Sequence, residues 1–97
     1  MENAKEEFLN VTKNEIVICA NIRRGGDVYT LPKGYNDEDL ILFLNNLDFE
    51  YDNGYGSQEL YGMILLKKGW IDRYEYDGSE YWYYHIRPSV KYVMESV

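Results

Sequence analysis

The chain predicts an α+β fold: an antiparallel sheet of about five strands, formed by an N-terminal hairpin and a C-terminal three-stranded meander, with one main helix packed on a face. Three observations carry that expectation. Gly25 and Gly26 split an apolar stretch into two strand-length halves. Residues 60–87 fall into three apolar or alternating runs separated by turn residues. Asp37–Leu47 joins helical periodicity to a full set of start signals. At 97 residues the chain fits a single domain, 1–97. Such a domain buries roughly 65% of the surface its unfolded form exposes, enough for one modest core.

Met1 to Asn14 is polar and mixed in charge, with Phe8, Leu9 and Val11 as its strong apolar residues. It reads as a short helix over Asn3–Leu9 or as a loosely ordered arm. In Glu15–Ile22, the residues Ile16, Val17, Ile18, Cys19 and Ala20 form the continuous apolar run of a buried strand. Arg23-Arg24-Gly25-Gly26-Asp27 reverses the chain, and Val28–Leu31 returns as the second strand. Pro32, with no amide to donate, ends it. Asn36 is a good N-cap, and Asp37, Glu38 and Asp39 place negative charge at the positive end of the helix dipole. Tyr35 and Leu40 have the spacing of a hydrophobic staple. Leu40, Ile41, Phe43, Leu44 and Leu47 share one face of the helix, and Asn45 and Asn46 favour a stop.

Asp48–Asp52 alternates as a short strand does, and Asn53-Gly54-Tyr55-Gly56 is a turn. Leu60–Leu66, Trp70–Tyr76 and Glu80–Arg87 form the meander, with turns at Lys67-Lys68-Gly69 and Asp77-Gly78-Ser79. A two-residue Asp-Gly loop sets Glu75 opposite Glu80, a like-charge pair. A three-residue loop aligns Trp70, Asp72, Tyr74 and Tyr76 with Ile86, Tyr84, Trp82 and Glu80. The second register gathers aromatic residues and is the one expected. Pro88 ends the strand, and Ser89–Val97 reads as a short helix with Val90, Val93 and Met94 on one side.

The net charge is −7, which argues against direct nucleic-acid binding and against docking on anionic lipid. An acidic surface attracts basic partners, although solubility alone also accounts for the charge. Tyrosine supplies 11 of the 97 residues, and its apolar ring and polar tip suit both half-buried sheets and interfaces. One cysteine, Cys19, allows no internal disulfide, so a reducing compartment is expected. No run approaches the roughly 20 apolar residues that span a bilayer. Met1–Phe8 lacks the basic start and apolar core of a signal peptide, which makes the cytoplasm the expected location.

Catalysis finds little support, and the chain is not expected to be an enzyme. Cys19 lies in an apolar strand, where cysteine behaves as a small hydrophobe. The single histidine, His85, lies in an aromatic strand with no nucleophile near it in sequence. One Cys and one His do not make a zinc site, and no cofactor is expected. The carboxylates carry more. Asp48, Glu50, Asp52 and Glu59 occupy the first, third, fifth and twelfth positions of an EF-hand calcium loop. Asn53 stands where the loop requires glycine, and Leu60–Leu66 reads as a strand rather than an exiting helix. A small calcium- or metal-binding domain is therefore an alternative reading, not the leading one.

The largest feature is a charge asymmetry. Gly34 to Leu66 contains seven acids (Asp37, Glu38, Asp39, Asp48, Glu50, Asp52, Glu59) and no base, interleaved with Tyr35, Tyr51, Tyr55 and Tyr61. Carboxylates on rigid elements can imitate phosphates towards a basic groove, with aromatic residues as anchors. On this reading Asp48, Glu50, Tyr51, Asp52, Tyr55 and Glu59 form a surface for a protein partner, a DNA mimic in effect. A solvated acidic face is the plainer explanation. A homo-oligomeric structural module, with its Tyr and Trp face buried between copies, is a third.

Leu31–Val90 resembles small proteins, many of them from phages and prophages, that carry LPxGY, DFEYDxGYG and YDGSEWW-like segments. Here these are Leu31-Pro32-Lys33-Gly34-Tyr35, the run from Asp48 to Gly56, and Tyr76-Asp77-Gly78-Ser79-Glu80-Tyr81-Trp82, in which Tyr81 replaces the first Trp. The resemblance covers about two thirds of the chain. It brings no catalytic residues with it. It implies a phage or mobile-element protein that inhibits a host nucleic-acid-binding or defence protein, as anti-CRISPR proteins do.

Overall fold

The computed structural model describes residues 1–54 and 56–95. It is α+β, with a five-stranded antiparallel sheet as its body. In chain order the elements are β1 (Glu2–Asn3), α1 (Ala4–Val11), β2 (Val17–Arg24), β3 (Asp27–Leu31), α2 (Asp37–Asn46), β4 (Glu50–Tyr51), β5 (Leu60–Leu66), β6 (Gly69–Tyr76), β7 (Ser79–Ile86) and α3 (Val90–Glu95). The main sheet runs β3-β2-β5-β6-β7, and β1 and β4 form a separate two-stranded ribbon. The N-terminal hairpin and the meander are thus joined by the antiparallel pairing of β2 with β5.

The helices form where local chemistry favours them. Asn36 caps α2 by accepting from the Asp39 amide, and the Asp39 carboxylate accepts in turn from the Asn36 amide, a complete capping box. The staple residues Tyr35 and Leu40 both pack on the core, and the Tyr35 hydroxyl donates to the Val17 carbonyl, tying the helix entry to β2. Helix α2 ends at Asn46, with Leu47 as its C-cap. At the N-terminus the chain is ordered as ribbon and helix rather than a loose arm: Asn3 caps α1 through the Glu6 amide.

The core lies between the helices and the inner face of the sheet. Ala4 and Phe8 from α1, Phe43 from α2, Leu47 and Tyr51 meet Ala20, Ile22, Leu31, Leu60, Ile64, Leu66, Ile71 and Trp82 from the strands. Phe8 and Phe43 cross edge to face with ring centres 5.1 Å apart. Each fully buried apolar side chain of this kind contributes about 1.5–3 kcal/mol.

Burial departs from expectation in two places. The apolar run of β2 is covered on one face only: Ala20 and Ile22 are buried, while Ile18 and Cys19 are half-buried and Ile16, just before the strand, is 61% exposed. In α2, Ile41 points to solvent, so the apolar face is narrower than the sequence pattern. Helix α3 forms over Val90–Glu95 with no buried residue, and the last two positions of the expected helix, 96–97, lie outside the described residues.

The expected register of the last hairpin is overturned. Asp77 and Gly78 alone form the loop, both with positive φ (52° and 83°), and Glu75 stands opposite Glu80. The like-charge objection fails because the two carboxylates part company. Glu75 turns back to accept from the Gly78 amide at 2.9 Å. Glu80 turns into the core, where Arg73, its diagonal neighbour across the strands, meets it at 2.8 Å.

Gly62 makes the β2–β5 pairing close. Its φ is +147°, and a Cβ there would stand 2.2 Å from the Asn21 carbonyl oxygen, a backbone atom with nowhere to go. Gly62→Ala is expected to lower stability by about 2–4 kcal/mol, read as a shift of the urea midpoint at unchanged slope.

Candidate partner-binding surface

The acidic segment is built on a buried ion cluster. The Glu80 carboxylate accepts from Arg73 Nε (3.1 Å) and Nη2 (2.8 Å) and from the backbone amides of Leu60 (2.9 Å) and Glu59 (2.6 Å). The side chains of Arg73 and Glu80 are 1% and 3% exposed. Such a pair is tolerated in a core when hydrogen bonds satisfy its polar atoms; both Glu80 oxygens accept, while Arg73 Nη1 is buried without a hydrogen-bond partner. The Arg73 guanidinium lies 4.9 Å from the ring centre of Trp82 and 5.4 Å from that of Tyr51. Its remaining nitrogen, Nη1, faces Glu7 at 3.6 Å. The Tyr51 hydroxyl donates to Glu7 and accepts from Arg73.

This cluster holds two carboxylates and one guanidinium, and the uncompensated negative charge falls on Glu7. Burial pushes the Glu7 carboxyl above its ordinary value, against the lowering influence of Tyr51 and Arg73. Burial and the adjoining Glu7 likewise raise the Tyr51 phenol well above its usual range, so it stays a neutral donor.

The loop between Tyr51 and Leu60 hangs from these groups. The Glu80 amide donates to the Asn53 carbonyl at 2.8 Å. Across the loop neck the Asp52 amide donates to Glu59 Oε2 at 2.9 Å, and the Gly54 amide donates to Asp52 Oδ1 at 3.0 Å. Glu59 also pairs with Arg24 at 3.4 Å. Next to the loop, the β1–β4 ribbon sets Asn3 beside Glu50 and Glu2 beside Tyr51. Asn3 also donates to Asp48 Oδ1 at 2.9 Å.

The six residues expected to form one binding surface therefore separate. Asp48, Glu50 and Asp52 are exposed, as a docking surface requires. Tyr51 is a correction: it is fully buried and cannot reach a partner, because strand alternation turns it inward between the exposed Glu50 and Asp52. Glu59 is half-buried and engaged with Arg24 and the Asp52 amide. Tyr55 lies outside the described residues. Glu2 was missed. Its neighbour Asn3 is the helix cap, the sequence signal that an element begins there and that the preceding residue has a fixed place.

The same geometry bears on the calcium reading. Among the described residues, no three His, Cys, Asp or Glu side chains converge as a metal site. Asp48 is held by Asn3, and the oxygens of Asp52 and Glu59 accept from loop amides and Arg24. Cys19 and His85 share one row of the sheet through the pairs Cys19–Leu65, Leu65–Trp70 and Trp70–His85. Three strand spacings, roughly 14 Å, separate them, so they form no catalytic dyad.

The outer face of the meander carries a second feature. Tyr74 lies against Tyr81 (5.5 Å) and Tyr83 (6.0 Å), and His85 stacks on Trp70 at 4.8 Å while bonding Asp72 Oδ1 at 2.8 Å. Sequence reasoning foresaw an aromatic face but gave Tyr74 the wrong partners, because it placed the turn one residue too long.

Among the described residues no helix is long and apolar enough to cross a membrane. No protein-family model, curated protein or solved structure matches the chain.

Two outcomes are expected from the cluster. Arg73→Met leaves the Glu80 carboxylate buried without its cation and lowers stability by about 3–5 kcal/mol in chemical denaturation. Glu7 has a raised folded-state pKa, so its contribution is fully present below the ordinary value of 4.5 and is lost as pH rises through the raised value. The wild type should lose stability relative to Glu7→Gln as pH rises from 4.5 through the raised value and then level off, measured by urea unfolding across a pH series.

Proposed function

We propose that this chain is a non-catalytic protein-binding module of phage or mobile-element type. It acts in the host cytoplasm by occupying the basic surface of a nucleic-acid-handling host protein. The observation that carries the reading is the placement of Asp48, Glu50 and Asp52. All three are exposed, and the backbone between them is fixed by the buried Tyr51 on one side and by the Asn53–Glu80 bond on the other. Rigid carboxylates lose little entropy on docking and compete with phosphates for the same cations. Tyr51 acts as a support for this surface, and Glu59 as a loop clasp. The resemblance of residues 31–90 to phage proteins agrees with a host target, and the buried cluster explains how so acidic a segment keeps one shape.

The test is capture by a tagged form from nuclease-treated bacterial lysate, followed by competition. A basic nucleic-acid-binding protein should be retained, released as salt rises, and displaced from DNA by this chain. The triple variant Asp48→Lys, Glu50→Lys, Asp52→Lys should lose capture and competition with an unchanged circular dichroism spectrum. Retention indifferent to both salt and charge reversal would overturn the reading.

A further inference from the structure

The sheet ends at β7, whose outer edge beyond Glu80 has no backbone partner among the described residues. Strands β6 and β7 pair around the two-residue turn Asp77-Gly78, and beyond the strand the Arg87 amide donates to the Lys68 carbonyl at 2.9 Å. Backbone groups alternate in direction along an antiparallel strand. The odd-numbered residues of β7 therefore bond to β6, and the even-numbered ones turn their amides and carbonyls away from the sheet. The Glu80 amide confirms the parity, because it points outward to the Asn53 carbonyl. Among the described residues, the outward amides of Trp82, Tyr84 and Ile86 have no backbone partner.

Monomeric sheets blunt such edges with charge, proline, a bulge or short length. The other edge, β3, follows that practice: it is five residues long, opens on Asp27 and is followed by Pro32. Strand β7 is eight residues long, pairs in continuous register without a bulge, and carries no formal charge or proline from Tyr81 to Ile86. Tyr83 is 49% exposed and Ile86 71% exposed.

We infer that β7 pairs antiparallel with β7 of a second copy of this chain, joining two five-stranded sheets into one across a twofold axis at Tyr84. The register follows from the groups left free. The loop holds the Glu80 amide, so the ladder runs from Trp82 to Ile86, and only an axis at Tyr84 pairs that segment with itself. Trp82 then faces Ile86 of the second copy, and Ile86 faces Trp82. On the outer face, Tyr83 meets His85 of the second copy and Tyr81 meets Arg87 of the second copy, aromatic and cation–aromatic pairs that favour a ladder. No like charges stand opposite each other. The edge is complementary to itself, which is the condition for a closed twofold contact. Pro88 ends the ladder at the same place in each copy.

Sedimentation equilibrium of the full chain over a range of concentrations tests this, together with amide hydrogen exchange. The expected species at high concentration has twice the 11.5 kDa chain mass, and the amides of Trp82, Tyr84 and Ile86 slow their exchange as the dimer forms. Tyr84→Pro removes an outward donor without touching the β6–β7 ladder. Tyr84→Glu sets two carboxylates face to face at the axis. Each should weaken association at least about tenfold, and if the proline variant fails to fold, the glutamate variant reads the same contact. A wild-type chain that stays monomeric, or a dimer whose Trp82, Tyr84 and Ile86 amides exchange as fast as in the monomer, would overturn the proposal. The second result would point to contact through the aromatic face instead. Neither readout depends on a host protein, so this proposal and the acidic-surface reading fail separately.

Discussion

One carboxylate organises this molecule. Glu80 sits in the core, where an uncompensated charge is intolerable, and each group that compensates it fixes a different part of the chain. Arg73 fixes the register of β6 on β7. The amides of Glu59 and Leu60 fix where the acidic loop ends and β5 begins. The Glu80 amide fixes Asn53. Through Arg73, the cluster reaches Tyr51 in the ribbon and Glu7 in α1. The energetic content of the pair itself is modest, because desolvation offsets much of the attraction. Its structural content is large, because a buried charge accepts few geometries, and those geometries dictate hairpin register, loop shape and ribbon position together.

Much of the fold was legible in the sequence because its signals are local. The Asn36 cap, the acidic first turn and the spacing of Tyr35 and Leu40 each report on a few adjacent residues, and α2 follows them to within one residue of its expected end. The Gly25-Gly26 reversal and the Asp77-Gly78 turn are equally local. What failed depended on distant groups. The hairpin register was misread because the repulsion between Glu75 and Glu80 was weighed without Arg73, whose burial no local pattern announces. A tyrosine interleaved with carboxylates reads as an anchor for a partner, whereas period-two alternation between the exposed Glu50 and Asp52 turns Tyr51 inward.

The acidic face is legible in the sequence as charge and not as shape. The run of acids from Asp37 to Glu59 is plain in the sequence, yet its members play different parts: Asp39 caps a helix, Glu59 clasps a loop, and Asp48, Glu50 and Asp52 are left facing solvent. Structural duties thus consume part of the acidity. The remainder is displayed on a ribbon and loop neck that the core holds still, while the aromatic rows occupy the outer face of the sheet. The molecule keeps its charged and aromatic surfaces on different elements.

The way the loop is held also governs how this protein ages. Asn-Gly peptides are the bonds most prone to deamidation, since the glycine nitrogen can attack the asparagine side chain unhindered. Asn53-Gly54 is such a bond, but here the Gly54 nitrogen is occupied as a donor to Asp52 and the Asn53 carbonyl is held by the Glu80 amide. The backbone rotation that the attack needs is blocked while those bonds stand. Opening of the loop, which breaks both bonds, is therefore the step that exposes Asn53-Gly54 to this chemistry.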